Sequence, residues 1–119
     1  MYSAHVLDHF QNPRNAGELP APAVVAEIEN PACGDVLRLA LRIENGRIAE
    51  ARFKARGCVA SIACSSALTE LISGKTTGEA RAITRASIID FVGGLPQGST
   101  HAAQLALDAL HAALAQSKA

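Results

Sequence analysis

The dipeptide Asn45-Gly46 sits between two runs of alternating apolar and polar residues, and nothing else in the chain restricts its fold as tightly. Before it, Leu37, Leu39, Leu41 and Ile43 alternate with Val36, Arg38, Ala40 and Arg42. After it, Ala49, Ala51, Phe53 and Ala55 alternate with Glu50, Arg52 and Lys54. A period of two marks strands with one face in a core, and Asn-Gly suits a two-residue turn whose central residues both need positive φ. An antiparallel hairpin is therefore predicted, with its returning strand over about Arg47 to Ala55. Val24 to Glu29 reads as a third, short strand, interrupted by Pro31. Three antiparallel strands with one polar face need a layer to cover the apolar one.

The covering layer is legible as helices. Tyr2, Val6, Leu7 and Phe10 share one face at helical spacing, with Ser3 as a cap and Asn12-Pro13 as a stop. Arg14 to Ala23, rich in proline, glycine and small residues, reads as a loop. Ile62, Ala63, Ala67, Leu68, Leu71 and Ile72 repeat with helical period up to Gly74. Thr76 to Glu79 has the form of a capping box for a short helix through Ile83, and Thr84 or Ser87 caps another ending at Gly93-Gly94. Ala103, Leu107, Leu110 and Leu114 mark a last amphipathic helix, capped by Ser99 or Thr100, with His101 in its first turn. The 119 residues are read as a single domain over 1–119.

The hairpin also sorts the groups able to do chemistry. Asp35 lies about ten positions before the turn and Ala55 or Arg56 about ten after it, so both strand ends reach the same edge of the sheet. Cys33, Asp35 and Cys58 are thereby predicted to meet, a soft sulfur and a hard oxygen beside a flexible Gly34. Cys64 falls on the apolar face of its helix and reads as a small core residue. His9 reads as a surface residue, or one standing behind a site, and not as a ligand; His5 and His111 are expected to face solvent.

Composition excludes several functions. Lysine and arginine number 11, as do aspartate and glutamate, so no net field draws the chain to nucleic acid or an anionic membrane. Aromatic residues are 3% of the total, too few for base-stacking surfaces. Three cysteines without a disulfide-like layout fit a reducing compartment. No signal-like N-terminus or long apolar span is visible, and a cytoplasmic protein is expected.

Several motifs, in order and spacing, resemble the IscU family of iron–sulfur cluster assembly scaffolds, and in particular the N-terminal scaffold domain of NifU. They are Leu7 to Asn15 (LDHFQNPRN), Asn30 to Asp35 (NPACGD), Phe53 to Cys58 (FKARGC), Ser65 to Ile72 (SSALTELI) and Gly93 to Pro96 (GGLP). The resemblance covers nearly the whole chain. It implies an α+β fold of IscU/SufE-like type, a three-stranded antiparallel sheet with helices packed on one face. It also implies a binding and assembly protein that is no enzyme. Such a protein receives sulfur as persulfide from a cysteine desulfurase, joins it to iron and passes a [2Fe–2S] cluster to apo-protein clients.

The family site has three cysteines, an aspartate and a histidine next to the third cysteine. By the resemblance these positions fall on Cys33, Cys58, Asp35 and His101, a set able to hold zinc at rest or iron in a cluster. The third cysteine, the usual persulfide acceptor, is replaced by Ala102. Cys64 stands where relatives usually carry serine. After Leu95-Pro96 the chain has Gln97-Gly98-Ser99, without the second proline and the lysine by which a dedicated Hsp70-type chaperone recognises relatives. Two alternatives follow from the missing thiol: a zinc-binding paralogue that regulates a cysteine desulfurase without assembling clusters, and a relay passing persulfide from Cys58 or Cys64.

Overall fold

The computed structural model describes residues 2–30 and 34–117. Its sheet has the strand order β1-β2-β3, antiparallel throughout, with β1 at Val24–Asn30, β2 at Asp35–Glu44 and β3 at Arg47–Arg56. Asn45 and Gly46 take φ of 55° and 73° at the hairpin, the positive values that the turn requires. Leu37, Leu39 and Leu41 of β2 are completely buried, together with Ala26 of β1 and Ala51 and Phe53 of β3. Burying a leucine side chain is worth about 1.5–3 kcal/mol, so the central strand alone contributes heavily to the core.

The alternation slips at one place. Arg42 pairs with Glu50 and Ile43 with Ile48, which leaves Ala49 as an extra residue in a bulge. As a result Ile48 is buried and Ala49 is exposed, the reverse of the expected parity, and Ile43 is only partly buried. The outer edge of β3 is not left open. Gly17 N–H donates to Phe53 O (2.8 Å) and Phe53 N–H to Asn15 O (3.0 Å), while Ile48 N–H donates to Lys75 O (2.8 Å). Backbone from two connecting segments thus covers an edge that would otherwise invite another strand.

Five α-helices follow the predicted pattern: α1 Ala4–Gln11, α2 Val59–Ile72, α3 Thr77–Arg81, α4 Arg85–Phe91 and α5 His101–Ser117. Ser3 caps α1, and complete capping boxes, Thr76 with Glu79 and Thr84 with Ser87, start α3 and α4. α2 packs on β3, α5 lies across β1, β2 and α2, and α1 rests on α2. Such a central position requires α2 to be narrow. Ala60, Ser61, Ala63, Ser65, Ser66 and Ala67 are all buried along it. Ser65 and Thr69 return their hydroxyls to the carbonyls of Ser61 and Ser66 (2.7 Å each), so little polar burial goes unmatched.

Two expectations at the helices change. On α1, Val6 and His9 turn inward, while Leu7 and Phe10 remain 41% and 37% exposed. The helix sits against α2 through a narrow face, and only the 6/9 line fits there. The first turn of α5 has no side-chain cap: Thr100 is already helical (φ −65°, ψ −21°) because a 3₁₀ turn at Gln97–Ser99 feeds straight into the helix. Its hydroxyl donates back to Gln97 O at 3.3 Å. Among the described residues no helix is long and apolar enough to cross a membrane.

Candidate metal centre

The two ends of the hairpin do meet. Asp35 is the first residue of β2, and the pairing of Val36 with Arg56 sets it beside Gly57, just past the end of β3. Gly57 is required there. Its φ is 156°, and an added Cβ would stand 2.4 Å from Asp35 Oδ1, so the carboxylate lies directly on the backbone of residue 57. The next residue, Cys58, occupies the N-cap of α2 with extended backbone and makes no capping hydrogen bond. Its Sγ lies 3.6 Å from Asp35 Oδ2 instead.

His101 completes the group from the opposite helix. As the first residue of α5 it places Nε2 3.7 Å from Asp35 Oδ2. The carboxylate is buried (6% exposed) while the imidazole is 38% exposed, so the site opens on the histidine side. A cleft of about 260 Å³ begins there, lined by Ile28, Asn30, His101, Gln104 and Asp108 among others. One oxygen, one sulfur and one nitrogen donor of Asp35, Cys58 and His101 all lie within 4.8 Å of one another, and no other such trio occurs among the described residues. Tetrahedral ligation at about 2.0–2.3 Å puts neighbouring ligand atoms about 3.3–3.8 Å apart. The two separations on Asp35 Oδ2 fall in that range, so the trio could close on one ion with small adjustments.

Cys33, the fourth donor expected from sequence, lies outside the described residues. Ala102 is buried as part of the hydrophobic core cluster. Cys64 is fully buried, as its place in the helical pattern predicts. Burial, and then the charge of Cys58, push its thiol up to about 12. His5 and His111 are exposed as expected.

His9 corrects the sequence reading. It is buried rather than at the surface, its Nδ1 2.8 Å from Ser66 Oγ and its Nε2 3.5 Å from Glu70. Its ring also approaches that of Phe91, with centroids 6.1 Å apart. Desolvation lowers its pKa below the usual histidine value, with Arg14 adding to the effect. It clamps α1 to α2 and takes no part in the trio.

One residue at the site escaped the sequence reading. Ser61 is buried in the first turn of α2, its hydroxyl donates to Asp35 Oδ2, and its Oγ lies 3.3 Å from Cys58 Sγ. The signal was present in its spacing, since a residue three after Cys58 returns along the helix to the same face.

The match to known proteins now has a structural basis. The family model described as NifU-like N terminal domain matches residues 1–119. The chain belongs to this NifU-like family. It is 44% identical over 114 residues to iron–sulfur cluster assembly scaffold protein IscU 1 of Archaeoglobus fulgidus, covering 96% of this chain and 74% of that protein. It is 42% identical over 122 residues to the scaffold protein IscU of Haemophilus influenzae, covering 99% of this chain and 96% of that one. Among solved structures, the N-terminal part of a NifU-like protein from Brucella abortus superposes with a TM-score of 0.80 over 96% of this chain and 92% of its own. Its identity of 19% makes that a likeness of fold alone.

Proposed function

We propose that this chain is an iron–sulfur cluster assembly scaffold, acting as a single domain over residues 1–119. Its cargo is iron and a [2Fe–2S] cluster held by Cys33, Asp35, Cys58 and His101. The observation that carries the reading is the convergence of Asp35, Cys58 and His101 within 4.8 Å at one edge of the sheet. Relatives more than 40% identical over nearly the whole chain are named as scaffolds of this kind.

The donor set suits a cargo that has to leave. Two thiolates, a carboxylate and an imidazole supply the four ligands a [2Fe–2S] cluster needs, and histidine in place of cysteine raises its potential. Asp35 contributes a hard oxygen that grips iron less firmly than sulfur would. His101 offers Nε2 from the open side of the site, beside the cleft through which cargo would enter and leave. Sulfur would come from a cysteine desulfurase, and clients would be apo-proteins awaiting a cluster. With Ala102 where relatives carry the acceptor thiol, Cys58 is the one described thiol placed to receive sulfur. Cys64 is walled into the core, which argues against a relay through it. The stretch after Pro96 lacks the second proline and the lysine, which weakens the case for handover by an Hsp70-type chaperone.

The test is anaerobic reconstitution with ferrous iron, a cysteine desulfurase and cysteine, followed by visible and Mössbauer spectra. A [2Fe–2S] signature is expected. One tightly retained zinc ion and no cluster signal would replace the scaffold reading with that of a zinc-binding regulator.

A further inference from the structure

We propose that Ser61 is a positioning residue for cargo capture, its hydroxyl fixing Asp35 Oδ2 at the point where Cys58 and His101 converge. The inference rests on the assignment of Asp35, Cys58 and His101 as ligands. It assigns a function to a residue that provides none of the ligating atoms.

The two oxygens of Asp35 have different surroundings. Oδ1 lies against the backbone of Gly57, where an added Cβ would come within 2.4 Å of it. Oδ2 is the oxygen that faces the other donors, with Cys58 Sγ at 3.6 Å and His101 Nε2 at 3.7 Å. Rotation of the carboxylate would swing Oδ2 away from both. The Ser61 hydroxyl opposes that rotation by donating its single proton to Oδ2. A carboxylate oxygen has lone pairs enough to keep this hydrogen bond while it also binds a metal.

Ser61 is itself held in place. It is 1% exposed, so water has little access to replace its hydroxyl, and it lies on a helix packed against the sheet that carries Asp35. Its carbonyl accepts the Ser65 hydroxyl at 2.7 Å, which ties the first turn of α2 to the next. With its proton directed at Asp35, the Ser61 oxygen presents lone pairs toward Cys58 Sγ, 3.3 Å away. One buried hydroxyl therefore orients the carboxylate and stands beside the thiol. Outer partners of this kind fix the direction of a ligand and support metal affinity.

The test uses the full chain carrying Ser61→Ala, Asp35→Ala or both, titrated with cobalt(II) and then with zinc in competition. Alanine is smaller than serine and favours helix, so the fold is expected to tolerate the change. Ser61→Ala should weaken zinc binding about ten- to hundredfold. The cobalt d–d bands should lose intensity as water enters the coordination sphere, while the thiolate-to-cobalt band persists. In the Asp35→Ala background the same substitution should change affinity by no more than about twofold, because the group it positions is already gone. A wild-type-like cobalt spectrum in Ser61→Ala, or an equal loss of affinity in both backgrounds, would overturn the proposal and leave the ligand assignment standing. Failure of the wild-type chain to give any thiolate-to-cobalt band would overturn the ligand assignment, and the role of Ser61 with it.

Discussion

Cys58 caps α2 and Cys64 lies six residues further along it, and their surroundings are opposite. Cys58 is half-buried at the N-cap, with a carboxylate oxygen at 3.6 Å and a hydroxyl at 3.3 Å. Cys64 is fully buried in the core cluster, its thiol pushed up to about 12 by desolvation. A thiol becomes a ligand or a nucleophile only where its charged form is tolerated. The core around Cys64 does not tolerate it, whereas Cys58 lies partly open to solvent beside two other donor groups. The identity of the side chain says little until its distance from the sheet edge is known.

The contrast can be broken most severely by alkylation. At pH 8 a thiol with a pKa of about 12 is ionised in about one molecule in ten thousand. Iodoacetamide under native conditions should therefore mark Cys58 and leave Cys64 untouched, as read by peptide mass spectrometry. Equal labelling would mean that the core around Cys64 opens readily.

Substitution comes next in size. Cys58→Ser should lower zinc affinity by at least about a hundredfold, more than the loss of an outer partner. Cys64→Ala should leave affinity unchanged and cost about 1 kcal/mol of stability for the lost buried atom. The unaltered protein should also lose stability as pH rises from about 9 toward 12. Over that interval the unfolded chain releases the Cys64 proton, a thiol ordinarily titrating at 9.0, while the folded chain retains it. Denaturant titrations across that interval should show this slope in the wild type and not in Cys64→Ala.

Gly57→Ala sharpens the comparison from the edge side. The new methyl group would force Asp35 away from Cys58 and strain a backbone at φ 156°. A loss of about 1–3 kcal/mol in stability is expected, together with weaker zinc binding. A variant that keeps full affinity would show that the carboxylate does not need that position.

The histidines repeat the theme with a smaller effect. His101 stands at the open site, whereas His9 is buried against Ser66, Glu70 and Phe91. Burial lowers the His9 pKa, so the stability it brings is present above pH 6.5 and lost as pH falls through its folded value. His9→Gln should flatten the acid side of the stability curve below pH 6.5 in denaturant titrations. An unchanged slope would assign that acid sensitivity to other groups.

Much of this arrangement was legible because it depends on local rules. Asn45-Gly46 specifies the turn, and counting outward from it predicts that Asp35 and Cys58 meet. The capping boxes at Thr76 and Thr84 follow from hydroxyl and acceptor spacing alone. The failures belong to tertiary packing. A single extra residue, Ala49, shifts the inward face to Ile48, and no local preference announces a bulge at Arg42 and Ile43. Leu7 and Phe10 satisfy a helical stripe, yet the partner helix is slender and accepts Val6 and His9. Ser61 was hidden for another reason: a hydroxyl reads as an ordinary helix surface group until its carboxylate partner is brought across from another strand.

The central claim is that four donors suffice without a thiol at position 102. Parallel anaerobic reconstitution of the wild type and Ala102→Cys, with clusters per chain read from visible and Mössbauer spectra, tests it directly. The wild type should form a [2Fe–2S] cluster by itself, and Ala102→Cys should raise the yield. A cluster in Ala102→Cys and none in the wild type would contradict the claim.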